Sequence, residues 1–114
     1  VINWHAGFAN WQQGVAESPV LAAFAALQAA IWRQVLTGIL PGQAALIVTH
    51  GGMIEAGVMA MVPAADWSVA GKALDYLEGV RLWFHDDRCL NVLVLRFDGD
   101  REEQIAIPVP SRSP

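Results

Sequence analysis

The sequence predicts an α/β domain in the form of a three-layer α/β/α sandwich. Residues 44–48 are an uninterrupted apolar run, Ala-Ala-Leu-Ile-Val, ending in Thr49. Such a run is apolar on both faces, which suits a central parallel strand covered by helices above and below. Helical patterns lie on either side of it, at 19–37 and 53–61, and the order helix, strand, helix points to layers. Farther on, residues 80–85 alternate, with Val80, Leu82 and Phe84 on one face and Arg81, Trp83 and His85 on the other.

The elements follow in order. Residues 1–17 have no clean period and read as an irregular lead segment containing Trp4, His5, Gly7, Trp11 and Gly14. Its tryptophans suit burial, with an aromatic ligand platform as the alternative. Ser18 is placed to cap a helix and Pro19 fits its first turn. Val20, Phe24, Leu27, Ile31 and Val35 form an apolar stripe at helical spacing, expected to face the core. Gly38 suits a C-cap, and Pro41–Gly42 suits the turn beyond it. After the apolar run come His50, Gly51, Gly52 and a helix from Met53 that Pro63 stops. The long connection 64–79 is expected to rim a site at the strand's carboxyl end. Residues 80–85 and 89–97 should form an antiparallel hairpin, with Asp86, Asp87 and Arg88 as its turn. Asp98–Gly99–Asp100 makes a further turn before a short strand at 104–107. Pro108, Pro110 and Pro114 mark a tail over 108–114. The whole is one domain, with its core over 18–107.

Size and composition narrow the function. The 114 residues suffice for one modest domain. Hydrophobic residues make up 54% and charged residues 16%, more apolar than an ordinary domain. A net charge of −4 with seven scattered Lys and Arg argues against nucleic acid. Charges, Gly and Pro interrupt every apolar stretch, so no membrane span is expected. The single cysteine, Cys89, fits a reducing cytoplasmic compartment, and no cofactor is implied.

The chemistry concentrates at 49–55. A strand, a glycine turn and a helix in that order put His50 at the strand's carboxyl end, where open α/β sheets bind ligands. Gly51 and Gly52 remove side chains and let the backbone approach closely. Their amides, with that of Met53, open the helix unpaired and suit an anion such as phosphate or carboxylate. Glu55 falls in the first helical turn, where the helix dipole favours a carboxylate. Its alternative role is to hold a substrate group. His85 beside Asp86 and Asp87 is a weak metal signal, and no metal site is expected from it. Ser18, Ser68 and Cys89 have no base at motif spacing.

The stretch Leu46-Ile47-Val48-Thr49-His50-Gly51-Gly52 resembles the second signature of the histidine phosphatases, the superfamily of phosphoglycerate mutases and related phosphomonoesterases. Glu55, the helix stopped by Pro63 and the hairpin over 81–97 resemble the C-terminal part of that fold. The resemblance covers roughly 18–97. It implies that His50 is the second histidine, which contacts phosphoryl oxygens, with Gly51 and Gly52 beside it and Thr49 and Glu55 in support. In that family a first histidine, in an Arg-His-Gly motif, becomes phosphorylated. No arginine of this chain precedes a histidine, and His5 sits in Trp4-His5-Ala6. The resemblance therefore implies a truncated phosphatase fold lacking its N-terminal half, inactive alone, with phosphate or a phosphorylated small molecule as ligand. The other reading is a non-catalytic module that binds a phosphate ligand or a partner. Either way, the apolar strand 44–49 should keep an unpaired edge and favour a homodimer or other association.

Overall fold

A computed structural model describes residues 7–85 and 89–109. Trp4, His5, the turn residues Asp86, Asp87 and Arg88, and the prolines at 110 and 114 lie outside the described residues, as do the side chains of His85 and Cys89. The architecture is mixed α/β: helices α1 (Phe8–Glu17), α2 (Pro19–Gly38) and α3 (Met53–Met61), then strands β1 (Gly79–His85), β2 (Cys89–Asp98) and β3 (Arg101–Ile107). A short 3-10 turn, Trp67–Ala70, lies between α3 and β1.

Within the lead segment, Phe8–Glu17 is a ten-residue helix where an irregular stretch, at most with a short helical turn, was expected. Phe8, Trp11 and Val15 share one side of α1, and Phe8 and Trp11 are fully buried. Burial of each such side chain contributes about 1.5–3 kcal/mol, which outweighs the cost of Gly14 within the helix. The Phe8 ring stacks on Trp67 at 5.4 Å, and Trp67 Nε1 donates to the Val62 carbonyl at 2.9 Å. Gly7, at φ 101, begins α1 so close to the 71–72 backbone that a β-carbon there would lie 2.1 Å from the Gly71 carbonyl oxygen.

In α2 the capping expectation holds at the start: Ser18 Oγ accepts from Leu21 N at 3.4 Å, with Pro19 in the first turn. Gly38 is the last helical residue and Ile39 the C-cap. The stripe expected to face the core is split: Phe24 packs against the core and stacks on Trp11 with ring centroids 6.4 Å apart, and Val35 is half-buried, while the rest reaches solvent. Val20 is 78% and Leu27 60% exposed, and Ile31 is exposed as well. The buried side is Ala25 and Ala29, flanked by Leu21, Trp32 and Leu36. Small residues win because they let α3 approach: a β-carbon on Gly57 would meet Trp32 Nε1 at 1.9 Å and Gln28 Cβ at 2.9 Å. Arg33 donates to the Met61 carbonyl at 3.2 Å, a cation at the C-terminus of α3. The expectation that no run reaches the length of a span also needs correcting. At 20 residues, α2 is long and apolar enough to cross a membrane by length and composition alone, as core helices of soluble proteins also can be. Its proline and glycine lie at its ends and its interior carries only Arg33, so the interruptions do not break it.

The strands form one sheet in the order β1-β2-β3, antiparallel throughout. The hairpin register pairs Val80 with Val94 and Leu82 with Val92, and β3 adds Ile105 and Ile107 opposite the same two residues. This inward face joins the core, with Val92, Val94 and Ile107 buried. The other face carries Trp83 and Phe97, both exposed, with the Arg81 guanidinium 5.3 Å from the Trp83 ring centroid. Residues 44–49, expected as the central parallel strand, belong to no strand and make no backbone hydrogen bond among the described residues. The three strands pair in sequence order, and neither edge of that meander takes up the run. Leu46 and Val48 are consequently 90% and 87% exposed.

Candidate functional site at the His50 turn

The helix expected after the glycines begins at Met53, as the sequence requires. Gly52 is its N-cap at φ 87, a backbone conformation that glycine adopts freely and other residues rarely. The first turn closes with Ile54 N donating to the His50 carbonyl at 3.4 Å and Ala56 N to that of Gly52 at 3.0 Å. The His50 side chain is exposed at the mouth of the turn. Thr49 is half-buried, its hydroxyl 3.6 Å from Met53 Sδ. The amides of Gly51 and Met53 have no acceptor among the described residues.

Glu55 is the best-held side chain of the group, 1% exposed. Its Oε1 accepts from Gly52 N at 2.9 Å and its Oε2 from Leu74 N at 3.2 Å. It therefore caps its own helix from the third position, a placement that satisfies an orphan donor and favours negative charge at the helix start. The same carboxylate ties the turn to the connection 71–78, which does rim it: a β-carbon on Gly51 would sit 3.4 Å from the Leu74 carbonyl oxygen.

That connection is anchored from the sheet. Arg96, at an inward position of β2, is 6% exposed and pairs with Glu78 at 2.9 Å. Its guanidinium also donates to the carbonyls of Ala70 at 2.6 Å and Ala73 at 3.1 Å, and to that of Lys72. Glu78 in turn accepts from Asp75 N at 2.9 Å and Phe97 N at 3.0 Å. Burial pushes the Glu78 carboxyl up, but the two amides and the Arg96 guanidinium outweigh it, so its pKa lies below the ordinary carboxylate range. The sequence reading passed over this pair. Its signal was an arginine in phase with Val92 and Val94 on an inward strand face, where a charge must find partners.

The structure thus sets Gly51 and Glu55 against Leu74, with Gly52 held by Glu55 and with Thr49 and His50 preceding them on the same turn. Among the described residues no three His, Cys, Asp or Glu side chains cluster to hold a metal. No protein-family model, curated protein or solved structure matches the chain.

Proposed function

We infer that this chain is the phosphate-binding part of a histidine-phosphatase-type unit, and that it is inactive by itself. One observation carries the reading: an exposed histidine directly precedes a glycine-opened helix N-terminus that presents free amides at Gly51 and Met53. A phosphoryl group in transfer spreads charge over its oxygens, and donors aimed at those oxygens stabilise it. Here His50 and the free amides of Gly51 and Met53 supply one wall of such a cradle; the Gly52 amide, expected to join them, is already taken by Glu55 Oε1. Thr49 and Glu55 shape it. The chain offers no Arg-His-Gly nucleophile, so a phosphohistidine would have to form on a histidine supplied from elsewhere. In this reading, residues 44–49 become a central strand when further strands flank them, and the three-layer sandwich is completed then.

A second reading is a non-catalytic partner-binding module on the same degenerate fold. The exposure of Leu46 and Val48 favours it, since unpaired apolar chain invites a neighbouring strand.

Purified protein should not hydrolyse p-nitrophenyl phosphate above the background of His50→Ala. In an NMR titration with inorganic phosphate, the amides of Gly51, Gly52 and Met53 should move first. Turnover that depends on His50 would mean a nucleophile is present. Shifts centred on the hairpin over 81–97 would remove the site from this turn.

A further inference from the structure

Among the described residues both edges of the sheet are unpaired, since the order β1-β2-β3 leaves β1 and β3 outermost. The two edges differ. β3 opens on Arg101, Glu102 and Glu103, all exposed, and charged side chains of this kind keep an edge from taking another strand. β1 carries one charged residue, Arg81, and no proline over its seven residues, and no bulge interrupts its pairing with β2. Trp83 and Phe84 on it are 37% and 43% exposed. An edge without such protection is a template for a further strand. The sequence of β1 also complements itself. Laid antiparallel on a second copy about Leu82, it sets Gly79 opposite His85, Val80 opposite Phe84, Arg81 opposite Trp83 and Leu82 opposite its own counterpart.

We propose that β1 is a self-pairing edge, and that two copies of this chain join through it into one continuous sheet of six strands, three from each, about a two-fold axis at Leu82. The register follows from the chemistry of both faces. On the inner face, Val80 and Leu82, which already pack against the core, meet Phe84 and Leu82 of the second copy, so the apolar row of one sheet runs on into the other. On the outer face the Arg81 guanidinium lies 5.3 Å from the Trp83 ring centroid of its own strand, and pairing brings it to the Trp83 ring of the second copy as well, twice per dimer. No like charges fall opposite each other. The nearest alternatives in phase with the hydrogen-bond pattern each leave two of the seven residues unpaired, and one of them sets Arg81 against its own counterpart. A two-fold contact of this kind closes at two copies and leaves only the charged β3 edges outermost. It uses neither the residues of the His50 turn nor the 44–48 run, and does not depend on what either binds.

The test uses the full chain, in sedimentation equilibrium and in an NMR sample that mixes labelled and unlabelled protein. The wild-type protein should form dimers, with isotope-filtered contacts between Arg81 of one copy and Trp83 of the other. Trp83→Arg sets a cation opposite Arg81 twice per dimer and should weaken dimerisation at least about tenfold. Adding Arg81→Glu to it restores an attractive pair and should return the affinity to within about threefold of wild type. Leu27→Lys with Ile31→Lys should keep the dimer and lose only larger species. A monomeric wild type overturns the proposal, as does a Trp83→Arg dimer as tight as wild type, or a Arg81→Glu, Trp83→Arg variant no tighter than Trp83→Arg alone. Loss of the dimer in the Leu27, Ile31 variant would place the contact on α2 and overturn it too. Should Trp83→Arg not fold, the filtered contacts of the wild-type dimer decide alone, and contacts confined to α2 or to 44–48 reject β1.

Discussion

At the scale of single residues, the Arg96–Glu78 pair carries the clearest electrostatic consequence. Both side chains are buried, and each is fully engaged by backbone groups as well as by the other. The Glu78 carboxyl has a pKa below its ordinary value of 4.5. The stability it contributes is therefore present above the unfolded pKa and is lost as pH falls through the lower folded value. Glu78→Gln should cost about 2 kcal/mol or more near neutrality, the scale of a hydrogen bond to a charged group. Urea unfolding at a series of pH values should show that gap narrowing below pH 4.5. A gap independent of pH would mean the carboxylate's charge is not what the pair contributes.

At the scale of elements, the α2–α3 contact decides which face of α2 is inside. A helix with alanines on one side and larger apolar residues on another has two candidate faces. Close packing selects the small one, because Trp32 lies directly against the α-carbon of Gly57. Gly57→Ala separates the effects cleanly. In a free helix it would stabilise by about 1 kcal/mol through propensity. Here the added methyl meets the indole at 1.9 Å and the fixed Gln28 Cβ at 2.9 Å. The net effect should be destabilisation by about 1–3 kcal/mol in denaturant titrations. An unchanged or raised midpoint would show that the helices cross farther apart.

At the scale of the whole molecule, the unmet apolar surface is the dominant feature. Val20, Leu27 and Ile31 on α2, Leu46 and Val48 in the connection, and Trp83 and Phe97 on the outer sheet face all reach solvent. Exposed apolar surface of this extent drives association. In sedimentation equilibrium the chain should dimerise or form larger species. A double variant, Leu27→Lys with Ile31→Lys, should associate less while its unfolding free energy changes by no more than about 0.5 kcal/mol per site, as for surface positions. A monodisperse wild-type monomer that melts cooperatively above about 60 °C would defeat the reading of an unfinished sheet.

Local chemistry made much of this legible from sequence alone. Ser18 and Pro19 mark where α2 starts, the alternation from Val80 marks β1, and two glycines after His50 mark the start of α3. Each is set by neighbours within a few residues, through capping, pleat and permitted backbone angles. Partnership is different, because it depends on what else is in reach. Residues 44–49 have the composition of a buried strand, yet among the described residues no strand pairs with them, and composition cannot supply the missing hydrogen bonds. The stripe of α2 has helical spacing, yet only its Phe24 packs on the core beside the alanine face, while Val20, Leu27 and Ile31 reach solvent. Glu55 stood out as a carboxylate at a helix start, but its second oxygen on Leu74, 19 residues away, comes only from the way the rim folds back over the turn. Contacts at that separation are fixed by packing and by competition among faces, and only the tertiary structure decides them.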